Sequence, residues 1–471
     1  MPRTKIVCTI GPASRSPEKL EQLIKAGLNV ARLNFSHGIQ SEHQEVMVAI
    51  RGIAAKLNLP IAILQDLAGP KIRIGKIESG QINLKSGARF ILTTREVPGT
   101  ENEVSVNYPD LPKDVRPGDS LLLSDGALEL EVLETKERDI KCQVVIGGPL
   151  SSLKGINLPT SSIKAPSLTE KDKKDLAFGI DQGVDYIALS FVRSKADIMA
   201  AKRFMEKQGS AIPIIAKIEK HEALKNIDEI IPIVEGIMVA RGDLGIETPL
   251  EKVPLVQKSL IQKSNLACKP VITATQMLRS MVDNPRPTRA EVADVANAVL
   301  DGTDAVMLSE ETAIGKYPVE TVSMMAKIAA DAESSFPFAG WSQRVEKEGE
   351  KSIPEAVGQA ACKLAESLNA ASIITFTQSG STARLIAKYR PREPILAPTP
   401  LEKTYRSLAL IWGVVPVLGE SIKDTDEIVD IAFKAALKSG LVKKGQRVVI
   451  TAGAPVGVPG TTNLIRAEVL K

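Results

Sequence analysis

Charged residues recur two positions apart at several points of the chain: Lys217 with Glu219, Arg241 with Asp243, and the run Arg32, Asn34, Ser36. On an extended strand, residues two apart point to one face, so each set presents its groups together. Glu219 and Asp243 are hard oxygen ligands. Two carboxylates leave most of an octahedral shell to water and substrate, which is how Mg²⁺ (or Mn²⁺) is held. Arg32, Arg73, Lys217 and Arg241 are cations suited to an anionic substrate. Gln65-Asp66, Ala274-Thr275-Gln276 and Ser309-Glu310-Glu311 add further polar groups at the ends of apolar runs. Taken singly, each is explained as a rim ion pair. Six run-ends bearing such groups are not.

The elements that must position these residues follow from periodicity. Thr4–Ile10, Asn29–Asn34 and Ile61–Leu67 read as strands, separated by helices over Pro17–Ala26 and Ser41–Leu57. From Gly69 to about Pro166 the helical period is lost. Short alternating runs punctuated by Pro98-Gly99, Pro117-Gly118, Asp125-Gly126 and Gly147-Gly148 indicate a small β-barrel domain. The α/β rhythm then resumes. Strands are expected at Tyr186–Leu189, Ile214–Ile218, Gly236–Ala240, Val271–Ala274 and Ala305–Leu308, with helices between them. Eight βα units predict a TIM barrel with the β domain inserted after the third strand; an open doubly wound sheet is the alternative. In a TIM barrel the chemistry sits at the C-terminal ends of the strands, where the polar residues named above fall.

The stretch Glu333–Ile353 reads as a polar connector, solvated at Glu346-Lys347-Glu348-Gly349-Glu350-Lys351. Beyond it a separate α/β domain is expected, with strands at Ser372–Phe376, Ile395–Ala397, Val414–Leu418 and Arg447–Thr451. The domain limits expected are 1–69 with 167–345 for the barrel, 70–166 for the insertion and 346–471 for the last domain. In that domain Thr377-Gln378-Ser379-Gly380-Ser381-Thr382 runs between a strand and a helix. Its backbone N–H groups and hydroxyls make either an anion nest or an ordinary Ser/Thr cap.

Composition narrows the classes. Of the 471 residues 44% are hydrophobic and 25% charged, the balance of a folded protein. A net charge of +4 from 60 basic and 56 acidic residues argues against an extended nucleic-acid footprint. Cys8, Cys142, Cys268 and Cys362 form no CxxC, and His37, His43 and His221 form no HExxH, so zinc-ribbon and zincin chemistry are not expected. His43 and His221 read as surface residues. No P-loop occurs. The apolar run at the N-terminus is too short for a signal peptide and no run reaches a membrane span, so a soluble, cytoplasmic protein is expected.

Over essentially its whole length the sequence resembles pyruvate kinase. The motifs that carry the resemblance are TKIVCTIGPAS, VARLNFSHG, IIAKIEKHEAL, VARGDLGIE, ATQML, RPTRAEVADVANAVLDGTDAVMLS and AKYRP. The resemblance implies transfer of the phosphoryl group of phosphoenolpyruvate to ADP, giving pyruvate and ATP, by a barrel, a mobile β lid and a regulatory domain, in a homotetramer. It implies Glu219 and Asp243 as divalent-metal ligands and Lys217 as the residue that neutralises the phosphoryl in flight. It also implies Arg32 as substrate arginine, and Gly242 and Thr275 as contacts to the substrate carboxylate. Asn34, His37, Arg73 and Lys171 match nucleotide positions. Asn34, Ser36, Asp66 and Leu67 match the monovalent-cation site, and Ser379–Thr382 matches the loop for a phosphorylated effector.

Departures from the family pattern are equally informative. Leu67, Ala68 and Lys71 stand where many members have Thr, Lys and Glu, and Glu310 stands where Gly is commoner. A tethered ammonium at Lys71 can supply the charge of a bound K⁺, so K⁺ independence is expected. The chain ends at Lys471, which matches the short forms of the family. Two other readings compete. One is a Mg²⁺-dependent lyase or mutase acting on an oxo-acid on the same barrel. The other is a catalytically silent effector-binding protein.

Overall fold

The computed structural model describes residues 2–161, 163–346, 351–421, 424, 427–454 and 460–471. Eight parallel strands close into a barrel. Numbered within the barrel, they are β1 (Lys5–Thr9), β2 (Val30–Asn34), β3 (Ala62–Asp66), β4 (Tyr186–Leu189), β5 (Ile214–Ile218), β6 (Gly236–Ala240), β7 (Val271–Ala274) and β8 (Ala305–Leu308). β1 pairs with both β2 and β8, which closes the ring and sets aside the open doubly wound sheet.

Each strand alternates between two apolar surroundings. Val7, Val30, Leu64, Tyr186, Ile215, Met238 and Ile272 fill the barrel interior. Ile6, Leu33, Ile63, Ile187, Ile214, Ile237 and Val271 face the surrounding helices. This parity fixes what each strand end presents. Counting on from Val7, Val30, Leu64, Ala188 and Ile215, the inward positions are Thr9, Arg32, Asp66, Ser190, Lys217 and Glu219. The opposite, N-terminal mouth of the barrel is plugged by Ala409 and Leu410, which join the interior cluster from the last α/β unit.

The insertion carries its own apolar core, from Ile72 to Ala165, under a six-stranded sheet and a two-stranded ladder. The sheet stays open, so the expected barrel is a half-barrel. A cleft of about 510 Å³ between it and the barrel is lined by Lys71, Asn107, Lys164 and Thr169 among others. The chain leaves β3 for the insertion through Gly69 at φ +66°, where a Cβ would meet Phe191 Cδ2 at 2.7 Å. Only glycine accommodates both the backbone and the close approach.

The last unit is a five-stranded sheet with the strands named above plus a fifth, Thr462–Val469, which runs antiparallel to Arg447–Gly453. That fifth strand is not among those the sequence pattern predicts. The polar stretch after Glu333 is also not a plain connector. It contains the helix Phe338–Glu346, whose Trp341 is buried against Phe336 and Tyr389. Of the solvated run expected at 346–351, residues 347–350 lie outside the described residues. Among the described residues no helix is long and apolar enough to cross a membrane.

Candidate active site

The inward strand ends make one connected polar cluster. Lys217 on β5 sits at its centre, with Nζ 2.8 Å from Glu219 Oε1 and 3.3 Å from Asp66 Oδ1. The same ammonium donates to Ser190 Oγ at 2.7 Å. Arg32 donates through Nε to Asp66 Oδ2 at 2.6 Å and through a terminal nitrogen to Thr9 Oγ1 at 2.8 Å. Glu219 Oε2 accepts the Phe191 N–H at 2.8 Å. Asp243 lies beside this group, and Lys71 reaches it from the insertion, Nζ to Oδ1 3.5 Å.

Burial and charge set the protonation states. Burial raises the Glu219 carboxyl and the neighbouring Asp243 raises it further, against a downward pull from Lys217. Burial would also raise Asp66, but Lys217 and Arg32 outweigh it and hold that carboxyl below its ordinary value. Burial would lower Lys217, yet Asp66 and Glu219 prevail and keep its ammonium charged well beyond the ordinary lysine range. Arg32, Lys71 and Lys217 thus face the carboxyl groups of Asp66, Glu219 and Asp243 across the mouth.

Arg241 departs from the expected pattern. β6 ends at Ala240, and Arg241–Glu247 is a short helix, so the strand rule does not join Arg241 to Asp243. On β6 Met238 faces inward and Val239 outward, which sends Arg241 outward. There it binds Asp294 at 2.7 Å and donates to the carbonyls of Ala274 at 3.0 Å and Thr275 at 2.7 Å. It braces the turn after β7, where Thr275 and Gln276 stand at φ +75° and +56°. Gly242 lies under that turn: a Cβ there would be 2.9 Å from Thr275 Cγ2.

Other expected residues fall around the rim. Asn34 Oδ1 accepts the Ser36 N–H at 3.1 Å, and Ser36 and His37 are exposed on the turn after β2. Partial burial lowers the His37 imidazole, and the charges of Arg73, Arg32 and Lys71 lower it further, which places three cations around that turn. Arg73 donates to the Leu153 carbonyl of the insertion at 3.2 Å. Lys171 donates to the Phe35 carbonyl and to Asp175, both at 2.6 Å. Leu67 points outward into the apolar layer, and its carbonyl accepts the Ser190 hydroxyl at 2.7 Å. Glu311 is buried and accepts the N–H groups of Leu278 and Ser309, while Glu310 pairs with Arg279 at 2.7 Å near the surface.

In the last unit Thr382 is committed to Thr462, oxygen to oxygen 2.6 Å. Ser379 donates to Ser381 at 3.1 Å, and Gly380 opens the helix Ser381–Lys388 at φ +81°.

A model of the pyruvate kinase barrel domain matches residues 1–322, and one of the pyruvate kinase α/β domain matches residues 355–467. The chain belongs to the pyruvate kinase family. It is 51% identical to "Pyruvate kinase 2" of Synechocystis sp., over the whole chain and 79% of that protein. It is 45% identical to the pyruvate kinase of Clostridium acetobutylicum over the full length of both. A solved pyruvate kinase from Cryptosporidium parvum superposes with a TM-score of 0.95 at 39% identity, covering all of this chain and 96% of that one. As a pyruvate kinase the chain is a phosphotransferase, producing pyruvate and ATP from phosphoenolpyruvate and ADP.

Ser190 and Phe191 are among the residues of this pyruvate kinase's mouth that sequence reasoning passed over, as is Thr9, which accepts from Arg32. Ser190 links Lys217 to the Leu67 carbonyl and approaches Asp66 at 3.4 Å. Phe191, at φ +53°, supplies the N–H that holds Glu219. Both follow directly after β4, a strand whose end carries no charge. Ser190 is legible by inward parity from Tyr186 and Ala188; Phe191 is not, because its contribution is a backbone group.

Proposed function

We propose that phosphoryl transfer is carried out by the cluster centred on Lys217. The observation that carries this reading is the simultaneous contact of one ammonium with Asp66, Glu219 and Ser190 at the inward end of β5. Phosphoryl transfer needs positioning and charge neutralisation more than covalent help. Lys217 is held charged, with its position fixed from three sides, where the transferring group would pass. Arg32, locked by Asp66 and Thr9, directs its remaining donors at the phosphate.

Glu219 and Asp243 are the residues that would hold Mg²⁺. The donor set fits: two mutually repelling carboxylates, one buried and raised, gain from a divalent cation between them. Held by Glu219 and Asp243, the ion would supply positive charge to offset the negative charge that develops on oxygen during transfer. The bare backbone at Gly242 and the braced turn at Thr275 take the substrate carboxylate, with Thr275 on the side where the enolate carbon is protonated. Asn34, His37 and Arg73 form the basic rim for the nucleotide, and Lys171 positions that rim through the Phe35 carbonyl. Closure of the insertion excludes water and limits hydrolysis.

The engaged state of the residues matching the cation site supports K⁺ independence. Asp66 is paired with Arg32 and Lys217, the Leu67 carbonyl with Ser190, and Asn34 Oδ1 with the Ser36 N–H. Lys71 meanwhile brings its own charge to the mouth. The Ser379–Thr382 loop is proposed to take the phosphate of an allosteric effector, and a homotetramer follows from the family resemblance. Measuring ADP-dependent pyruvate release against Mg²⁺ in the parent and in Asp243→Ala tests the core of the proposal. Turnover should vanish in the variant with the melting temperature preserved, because Asp243 has one partner and is partly exposed. Parent activity that persists in EDTA would overturn it.

A further inference from the structure

Behind the mouth lies a second cluster that the proposed chemistry does not use. His221 and Glu222 open the short helix that follows Glu219, and Glu247 ends the helix that carries Asp243. His221 Nδ1 is 3.3 Å from Glu222 Oε2 and 3.5 Å from Glu247 Oε2. His221 is therefore half-buried between two carboxylates, not the surface residue expected from the sequence.

All three facing atoms are inaccessible to solvent, and none of them makes a hydrogen bond. Glu247 is only 3% exposed. Its other oxygen is taken by Lys220 at 2.5 Å, so the orphaned Oε2 faces the cluster with its own charge partly balanced. A buried carboxylate oxygen without a donor is costly, as is an imidazole lone pair facing two carboxylates. A single N–H proton lies along one line and can satisfy at most one of the two oxygens well.

We infer that His221, Glu222 and Glu247 form a site for a divalent metal ion distinct from the one assigned to Glu219 and Asp243. An ion bonded at about 2.0–2.2 Å to nitrogen and oxygen sets neighbouring donor atoms roughly 3.0–3.5 Å apart. The two imidazole–carboxylate separations fall in that range, and all three donor atoms lie within 4.8 Å of one another. One nitrogen and two carboxylate oxygens select a borderline ion of the zinc class over Mg²⁺, which takes oxygen donors. Water completes the shell. Bound there, the ion ties the segment after β5 to the segment after β6, the two that carry Glu219 and Asp243.

The test uses untagged full-length chain carrying Asp243→Ala, so that an ion retained does not belong to the mouth. After EDTA treatment and dialysis against Zn²⁺, one zinc per chain should be retained. Adding His221→Gln should weaken binding roughly tenfold or more, as loss of a direct ligand costs at least what loss of an outer partner does. A second measurement needs no change in the cluster. The chain has three histidines, so imidazole ¹⁵N NMR of the Asp243→Ala protein should show Zn²⁺ moving the signals of one of them. Assignment of those signals to His221 supports the site. No zinc retained, an affinity indifferent to His221→Gln, or a response at His37 or His43 overturns it and leaves an imidazole lodged between two carboxyl groups.

Discussion

Lys71 joins the insertion to the barrel at Asp243: its Nζ stands 3.5 Å from Oδ1, with both side chains partly exposed. The contact spans the segment that leaves β3 at Gly69, so the position of the insertion and the charge at Asp243, the carboxylate proposed for the metal, are coupled.

From that contact follows the behaviour toward potassium. The parent should run at full rate in tetramethylammonium buffer, and Lys71→Glu should become K⁺-dependent. A like charge added beside the tethered ammonium is unfavourable in a partly dry site. If the parent rate collapses without K⁺ and returns with KCl, Lys71 does not substitute for the ion.

Removing Lys217 should separate two activities. Lys217→Met is expected to lose phosphoryl transfer by roughly a thousandfold or more, while still exchanging the methyl protons of pyruvate. Its melting temperature should also fall, since Asp66 and Glu219 lose a shared buried cation. Exchange measured on the same preparation controls for folding. Equal loss of both activities would contradict the assignment.

The loop in the last unit invites a narrower variant than its sequence suggests. Thr382 is bonded to Thr462 inside the fold, so altering it disturbs packing as well as any ligand. Ser379→Ala with Ser381→Ala removes the two hydroxyls that face each other across the helix start. Activation by a phosphorylated metabolite should be blunted and the basal rate kept. Should no sugar phosphate or nucleotide shift the substrate curve of the parent, the loop is only a cap.

Lys5 makes the stability of the barrel pH-dependent at its foot. Its ammonium donates to the Val414 carbonyl at 2.8 Å, and burial lowers its pKa to about 8 from 10.5, against an opposing pull from Glu333. Between those values the unfolded chain binds more protons than the folded one, so stability rises with pH. The burial cost is complete below pH 8 and gone above 10.5. Lys5→Met should therefore gain on the parent at pH 7 by about 1–3 kcal/mol, less about 1 kcal/mol for the lost hydrogen bond. Melting curves should show that difference falling as the pH approaches 10; a constant offset would rule out the titration.

Much of this protein is legible in its sequence, because its strands are short and β-branched and its helices are capped and apolar on one face. Eight alternations announce the barrel, and the two-residue period alone brings Lys217 and Glu219 to one face. The same rule misplaces Arg241, since it holds only while the chain stays extended and β6 ends one residue earlier. Closure of the ring and the openness of the inserted sheet depend on strand pairing between distant segments, which local periodicity does not encode. Nor does it encode backbone donors such as the Phe191 N–H, or the commitment of Leu67 and Thr382 to internal partners. The pairing of His221 with Glu247 arises only because β5 and β6 are neighbours in the barrel. Their following segments then meet behind the mouth, 26 residues apart in the chain but 3.5 Å apart in space.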